Sequence, residues 1–345
     1  MAQINKPDEY FNTKLYTGNG GTNAVTGVGF QPDWVWVKDR TSANSHGLFD
    51  VIRGATNALL SNTDNATITN ANYLQSFDSD GFTLGSEGAF NTNTNNYASW
   101  NWLAGGTGVS NTDGSITSTV SANTISGFSI GTYTGTGASA TIGHGLGTSP
   151  SMVIIKRTDS VENWRVHHVG LTGLTYRLAL DTTQAEYDET TSGLQSWNSS
   201  TFTLGSGGSY NASGGSFVFY AFSEKKGFSK FGSYTGNGNS DGTFIYTGFK
   251  PAWVMIKRSN SAGEGWNIYD NKRNTFNLVT QVLTANLSNA EATATAGADV
   301  IDMLSQGFKC RGTHGAINGS GNTYIYMAFA ENPLVGTNNI PATAR

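Results

Sequence analysis

Gly29-Phe-Gln-Pro-Asp-Trp-Val-Trp-Val-Lys38 decides the fold. Every position from Trp34 to Val37 is apolar. On an extended strand the two indoles share one face and the two valines the other. Both faces are therefore apolar, which predicts a strand covered on two sides. The stretch recurs as Pro150-Ser-Met-Val-Ile-Ile-Lys156 and Pro251-Ala-Trp-Val-Met-Ile-Lys257, each closing on lysine six residues after its proline.

Other marks repeat in the same order around it. Tyr16-Thr-Gly18, Tyr133-Thr-Gly135 and Tyr234-Thr-Gly236 precede the three prolines. After each lysine comes His46-Gly-Leu-Phe-Asp50, Trp164-Arg-Val-His-His168 or Trp266-Asn-Ile-Tyr-Asp270. Each copy closes on an aromatic strand: Tyr97-Ala-Ser-Trp-Asn-Trp102, Phe217-Val-Phe-Tyr-Ala-Phe222 and Tyr324-Ile-Tyr-Met-Ala-Phe329. The reading is all-β: three tandem β-sandwich modules, jelly-roll or lectin-like, each of domain size. Their bounds are 1–107, 108–225 (a linker followed by the second sandwich) and 226–345 (the third sandwich with a C-terminal tail). The turn-rich stretch Gly105–Asn123 reads as the linker, and the short Glu224–Gly227 join places modules two and three close together. Seven or eight strands are expected per module, with short helical turns near Thr63–Ala66 and Ser288–Ala292. The tail after Pro333 has little periodicity and reads as a segment that docks on a neighbour.

Composition agrees. Of 345 residues, 44 are glycine and 12 % aromatic, while only 13 % are charged. Few residues favour helices; Thr, Val, Tyr, Phe and Trp favour strands. A net charge of −4 gives no footprint for nucleic acid or an anionic membrane. No run of 18 apolar residues predicts a membrane-spanning helix, and the first residues lack a signal peptide's apolar stretch. A single cysteine, Cys310, excludes an intramolecular disulfide and a cysteine-based zinc site; it reads as a small core residue.

Catalytic patterns are sparse. Asp78 and Asp80 are the best paired carboxylates, but the matching stretches of the other copies carry no acid, so they read as a turn. Asp78-Ser-Asp-Gly81 echoes a calcium loop without its later ligands. His167 and His168 point to opposite faces of a strand and cannot readily share a metal. No nucleophile elbow or phosphate loop occurs. No catalytic residue, cofactor or metal is expected. The candidates for ligand contact are the paired indoles Trp34, Trp36, Trp100 and Trp102, together with Trp266. The recurring pairs Asp50/Arg53 and Asp270/Arg273 join them. Indole faces stack on sugars, and Asp and Arg bond hydroxyls. The competing reading is core packing for the indoles and an ion pair tying a loop to a strand for each Asp/Arg pair.

Several strings resemble a family of virion structural proteins of tailed bacteriophages, marine ones especially. They include Tyr16-Thr-Gly-Asn-Gly20, Gly29–Lys38, Ser76-Phe-Asp-Ser-Asp-Gly-Phe82, Asn111–Asn123, Gly232–Gly238, Tyr269-Asp-Asn-Lys-Arg273 and Ile340-Pro-Ala-Thr-Ala-Arg345. The resemblance spans essentially the whole chain and implies a place on a virion surface, assembled in host cytoplasm, with no catalytic residues to carry over. Three functions compete. One is a non-enzymatic tail-fibre or adhesin-like protein binding host surface glycans by avidity. The second is a head decoration protein that cements the capsid. The third is a tailspike glycosidase. The expected partners are other capsid or tail proteins and further copies of the chain, as a homotrimer; neither nucleic acid nor membrane insertion is expected.

Overall fold

A computed structural model describes residues 3–294 and 298–330. The chain is nearly all β, built from antiparallel sheets. One six-stranded sheet runs in the order Phe11–Thr17, Asn96–Trp102, Trp34–Asp39, Gly47–Asp50, Asn57–Leu60, Ile68–Thr69. Another repeats that order with Ser229–Thr235, Thr323–Ala330, Pro251–Arg258, Trp266–Asp270, Gln281–Thr284 and Ala292–Thr293. Between them in sequence lies Val109–Asn111, Ser118–Asn123, Phe128–Thr134, Ser216–Phe222, Met152–Arg157, Arg165–His168. Each is accompanied by a three-stranded sheet from the same stretch of chain: Asn23–Thr26 with Gly81–Leu84 and Leu74–Asp78, Ala140–Gly143 with Thr201–Leu204 and Leu194–Trp197, and Phe244–Tyr246 with Gly307–Cys310 and Ile301–Leu304.

The two-sided cover expected for Trp34–Val37 is present. Val35 and Val37 face a cluster with Phe49, Phe82 and Tyr97, between the first large sheet and its small partner. Trp34 and Trp36 face a different cluster, which holds Trp100 and Trp102 and also Ile154, Tyr220, Trp253, Trp266 and Phe329. The three large sheets thus turn their outer faces onto one shared interior. Matching positions at the ends of the closing strands meet there: Phe329 lies 5.6 Å from Trp102 and 6.0 Å from Phe222, ring centre to ring centre.

Gly105–Asn123 is not a linker. Val109–Asn111 and Ser118–Asn123 add two strands to the second large sheet, and Ile116 and Val120 bury in its core. Two apolar residues suffice to order a stretch that otherwise reads as turns. The expected helical turns are also displaced; single turns form instead at Gly88–Asn91 and Gly208–Asn211. The Thr63–Ala66 region lies against the second unit, where the Asp64 carbonyl accepts from Lys156 Nζ and from the Glu162 amide. The Ser288–Ala292 region is held by Glu291, whose amide donates to the Arg40 carbonyl. Tertiary contacts overrode weak local signals at both places. The tail after Pro333 lies outside the described residues.

The Tyr-Thr-Gly motif is explained by its contacts. The Tyr16, Tyr133 and Tyr234 hydroxyls donate to the carbonyls of Phe90, Tyr210 and Ile317. The next residues, Asn91, Asn211 and Asn318, are fully buried and clamp the turn that follows each Tyr-Thr-Gly. The Asn91 side chain donates to Asn19 Oδ1 and to the carbonyls of Gly21 and Gly85, while its Oδ1 accepts from the Asn19 amide. Asn318 does the same with Asn237, Asn239 and Gly312. Glycine is required before the clamp because a Cβ on Gly18 would lie 2.1 Å from the Thr92 carbonyl oxygen. Gly18→Ala is expected to lower stability by about 2 kcal/mol or more, since only backbone could yield; urea unfolding measures it.

Candidate functional site

All nine residues proposed for ligand contact lie in the interior. Trp34, Trp36, Trp100, Trp102 and Trp266 are at most 1 % exposed. None of these five indoles leaves a face open for a sugar to stack on. Among the described residues the indole N–H groups of Trp34, Trp102 and Trp253 have no hydrogen-bond partner, so these rings act there as apolar bulk. The burial has a local cause: the inner strands Trp34–Asp39, Asn96–Trp102 and Trp266–Asp270 are covered on both faces, so neither face is left to solvent. The ligand reading of these positions is corrected accordingly.

The Asp/Arg pairs are also buried, and they sit at the seams between units. Asp50 Oδ1 accepts from the amides of Ile52 and Arg53, and its Oδ2 lies 2.6 Å from Arg53 Nε. Tyr220 of the second unit donates its hydroxyl to Asp50 Oδ2 at 2.8 Å. Asp270 repeats this: its Oδ1 accepts from Lys272 and Arg273, and its Oδ2 is 2.5 Å from Arg273 Nε. Here the donor across the seam is Trp100 Nε1 of the first unit, at 3.0 Å. Burial disfavours both charged guanidiniums, but the adjacent carboxylates outweigh it and hold both arginines above their ordinary range. Arg273 further bonds Glu291, which Arg40 of the first unit clasps through two nitrogens.

Strand register identifies the third seam. Trp100, Tyr220 and Met327 occupy one position, opposite Trp36, Ile154 and Met255. Asp50, His168 and Asp270 occupy another, opposite Trp34, Met152 and Trp253. At the third seam Met327 offers no donor, and histidine replaces aspartate. His168 Nδ1 accepts from the Gly170 amide, as the carboxylates do at this offset, and Nε2 meets the Tyr326 carbonyl at 3.1 Å. Burial pushes its pKa down to about 4, so the ring is neutral and donates. The bonds run from first unit to third, second to first, and between third and second. This closed cycle gives the chain a threefold pseudosymmetry.

Two of the three repeat-closing lysines reach across the same seams. Lys38, Lys156 and Lys257 are fully buried and donate to the carbonyls of Asp39, Arg157 and Arg258. Lys38 also reaches the Ser288 carbonyl of the third unit, as Lys156 reaches Asp64 of the first. Burial lowers their pKa values to about 8, 8 and 7. The unfolded chain holds these protons up to its ordinary lysine range near 10.5, so it binds more protons than the native state above neutrality. Stability is therefore expected to rise between about pH 7 and 9, read from urea midpoints, with Lys257→Met removing part of the slope.

The remaining chemistry-bearing residues have structural partners. Asp80 accepts from the amides of Gly27 and Gly29, and Asp78 from the hydroxyls of Ser76 and Thr83. This is the expected turn. His167 and His168 do point apart: His167 meets Tyr210 Oη and the Leu174 carbonyl inside the second unit, whereas His168 faces the third. Cys310 is buried in the third unit's core. No group of three acidic, His or Cys side chains converges as a metal site among the described residues. An open cleft of about 560 Å³ is lined by Ile4, Lys6, Glu9, Tyr10, Ile125 and Lys225, among others.

Sequence reading missed the clamping asparagines. Their signal was present as Gly88-Ala-Phe-Asn91, Gly208-Ser-Tyr-Asn211 and Gly315-Ala-Ile-Asn318. They hold three equivalent turns, which expose Asn19 and Asn93, Thr136 and Ser213, and Asn237, Asn239 and Ser320.

Residues 6–333 match a family described as a domain of unknown function, DUF7483. No curated protein and no solved structure matches the chain.

Proposed function

We propose that this chain, which belongs to the DUF7483 family, is a non-enzymatic structural protein of a tailed-bacteriophage virion surface, of the tail-fibre or adhesin type. One observation carries the adhesin reading: the three clamped turns. Related by the pseudosymmetry, they lie at one level of the molecule and expose amide and hydroxyl groups suited to sugar hydroxyls. Three weak sites in fixed geometry on one chain supply avidity without a second subunit. The buried aromatics and ion pairs assemble the scaffold that holds them. The resemblance of the repeat strings to virion structural proteins supports the same reading. The engaged carboxylates of Asp78 and Asp80 argue against the glycosidase.

The pseudosymmetry favours a second reading. A threefold block fits a threefold position of a capsid lattice, where a decoration protein would cement its neighbours.

Antibody–gold labelling of intact virions of the source tests both. Gold on tail appendages supports the adhesin and leads to a glycan array; gold over the head supports decoration. Absence of gold from every particle overturns the virion reading.

A further inference from the structure

The three small sheets differ at one edge. In the second unit, Ala140–Gly143 is flanked by residues 114–118 of the chain. Ile116 pairs with Ile142 in parallel, its amide donating to the Thr141 carbonyl at 3.0 Å. Ser115 and Thr141 exchange two bonds, each hydroxyl accepting from the other's amide. Ser118 Oγ donates to the Gly143 carbonyl, and Ile116 enters the sandwich core.

The matching edges of the other units carry no strand among the described residues. They are Asn23–Thr26 and Phe244–Tyr246, placed by Val25, Ile142 and Ile245 standing opposite Phe82, Phe202 and Phe308. The first presents only Ala24 and Thr26. The third presents Phe244 at 46 % and Tyr246 at 63 % exposure, on one side of the strand. An open strand edge offers unpaired amides and carbonyls as a template, and two aromatic rings beside it add apolar area to be covered.

We infer that the Phe244–Tyr246 edge docks an extended segment of a partner protein by strand addition. The occupant is a Ser/Thr/Gly-rich strand with one β-branched apolar residue, running parallel to Phe244–Tyr246 as residues 114–118 run beside Ala140–Gly143. The second unit shows that the matching edge accepts such a strand, with backbone bonds giving affinity and the apolar residue giving register. The approach differs at one point. Asn111 crosses Gly143 so closely that a Cβ there would meet its Oδ1 at 1.7 Å. Tyr246 holds that position in the third unit, so the occupant lies against its ring. This inference does not depend on the virion reading.

The probe is a synthetic peptide of residues 112–119 carrying a terminal benzophenone, photocrosslinked to the intact chain and mapped by mass spectrometry. Crosslinks are expected to concentrate on 243–247. They are expected to be lost with an Ile116→Asp peptide and with the Phe244→Lys/Tyr246→Lys chain, whose melting temperature is unchanged because both side chains are exposed. Crosslinks no denser there than at Asn23–Thr26, or confined to Ala140–Gly143, overturn the proposal, as does capture that survives the double lysine variant.

Discussion

Replacing Asp270 with alanine is expected to cost roughly 3–5 kcal/mol, because it strands a buried guanidinium. Arg273 has no exposed side-chain surface, and its Nε loses its partner. Trp100 Nε1, at most 1 % exposed, loses its acceptor across the seam. Two amides, of Lys272 and Arg273, lose theirs as well. Glu291 remains beside Arg273 and keeps the loss from being total. Asp270→Asn retains volume and an acceptor for Trp100 but leaves the charge under-compensated, so it falls between wild type and alanine. At the third seam, His168→Ala removes two neutral hydrogen bonds and is expected to cost less, about 1–3 kcal/mol. Urea unfolding of the three variants reads the order directly. A ligand-binding role without a structural one would leave all three midpoints in place.

The second large effect concerns the units themselves. Residues 226–345 expressed alone are expected to fail to fold. Trp253, Met255, Trp266, Ile268, Met327, Phe329 and Phe231 all belong to the shared cluster. Cut from their neighbours, they would face water on the outer side of the sheet. At roughly 150–250 Å² per aromatic ring and ~25 cal/mol per Å², the exposed area is worth on the order of 20 kcal/mol. A domain has only about 5–15 kcal/mol of net stability. The fragment should therefore aggregate or lack near-ultraviolet circular dichroism. A soluble fragment with native aromatic signals would place the sandwich cores alone in charge of folding.

The sequence carried much of this in legible form. The indoles and valines of Trp34–Val37 announced a strand covered on both faces, because alternation in a strand is strict. What covered the indole face was not legible, since a residue pattern reports burial and not the identity of the neighbour. The three-residue spacing of Asp50/Arg53 and Asp270/Arg273 pointed to a local ion pair. Their partners Tyr220 and Trp100 lie 170 residues away, and no local pattern marks them. The absence of the arginine in the second copy was visible. Its reason, a histidine whose ring meets the Tyr326 carbonyl across the seam, needed the register. Gly105–Asn123 misled because its few apolar residues are spaced by turns. The exposed turns with the best claim to ligand contact are polar and glycine-rich, a composition that reads as loop whether or not it binds.

Three repeated units, each a six-stranded sheet with a three-stranded partner, close a threefold cycle around one interior, using the residues that look like a binding site. Scanning calorimetry of the intact chain tests it most directly. One transition is predicted, with calorimetric and van't Hoff enthalpies equal, shifted as a whole by Asp270→Ala. Two or three separable transitions, with Asp270→Ala moving only one of them, would contradict the account.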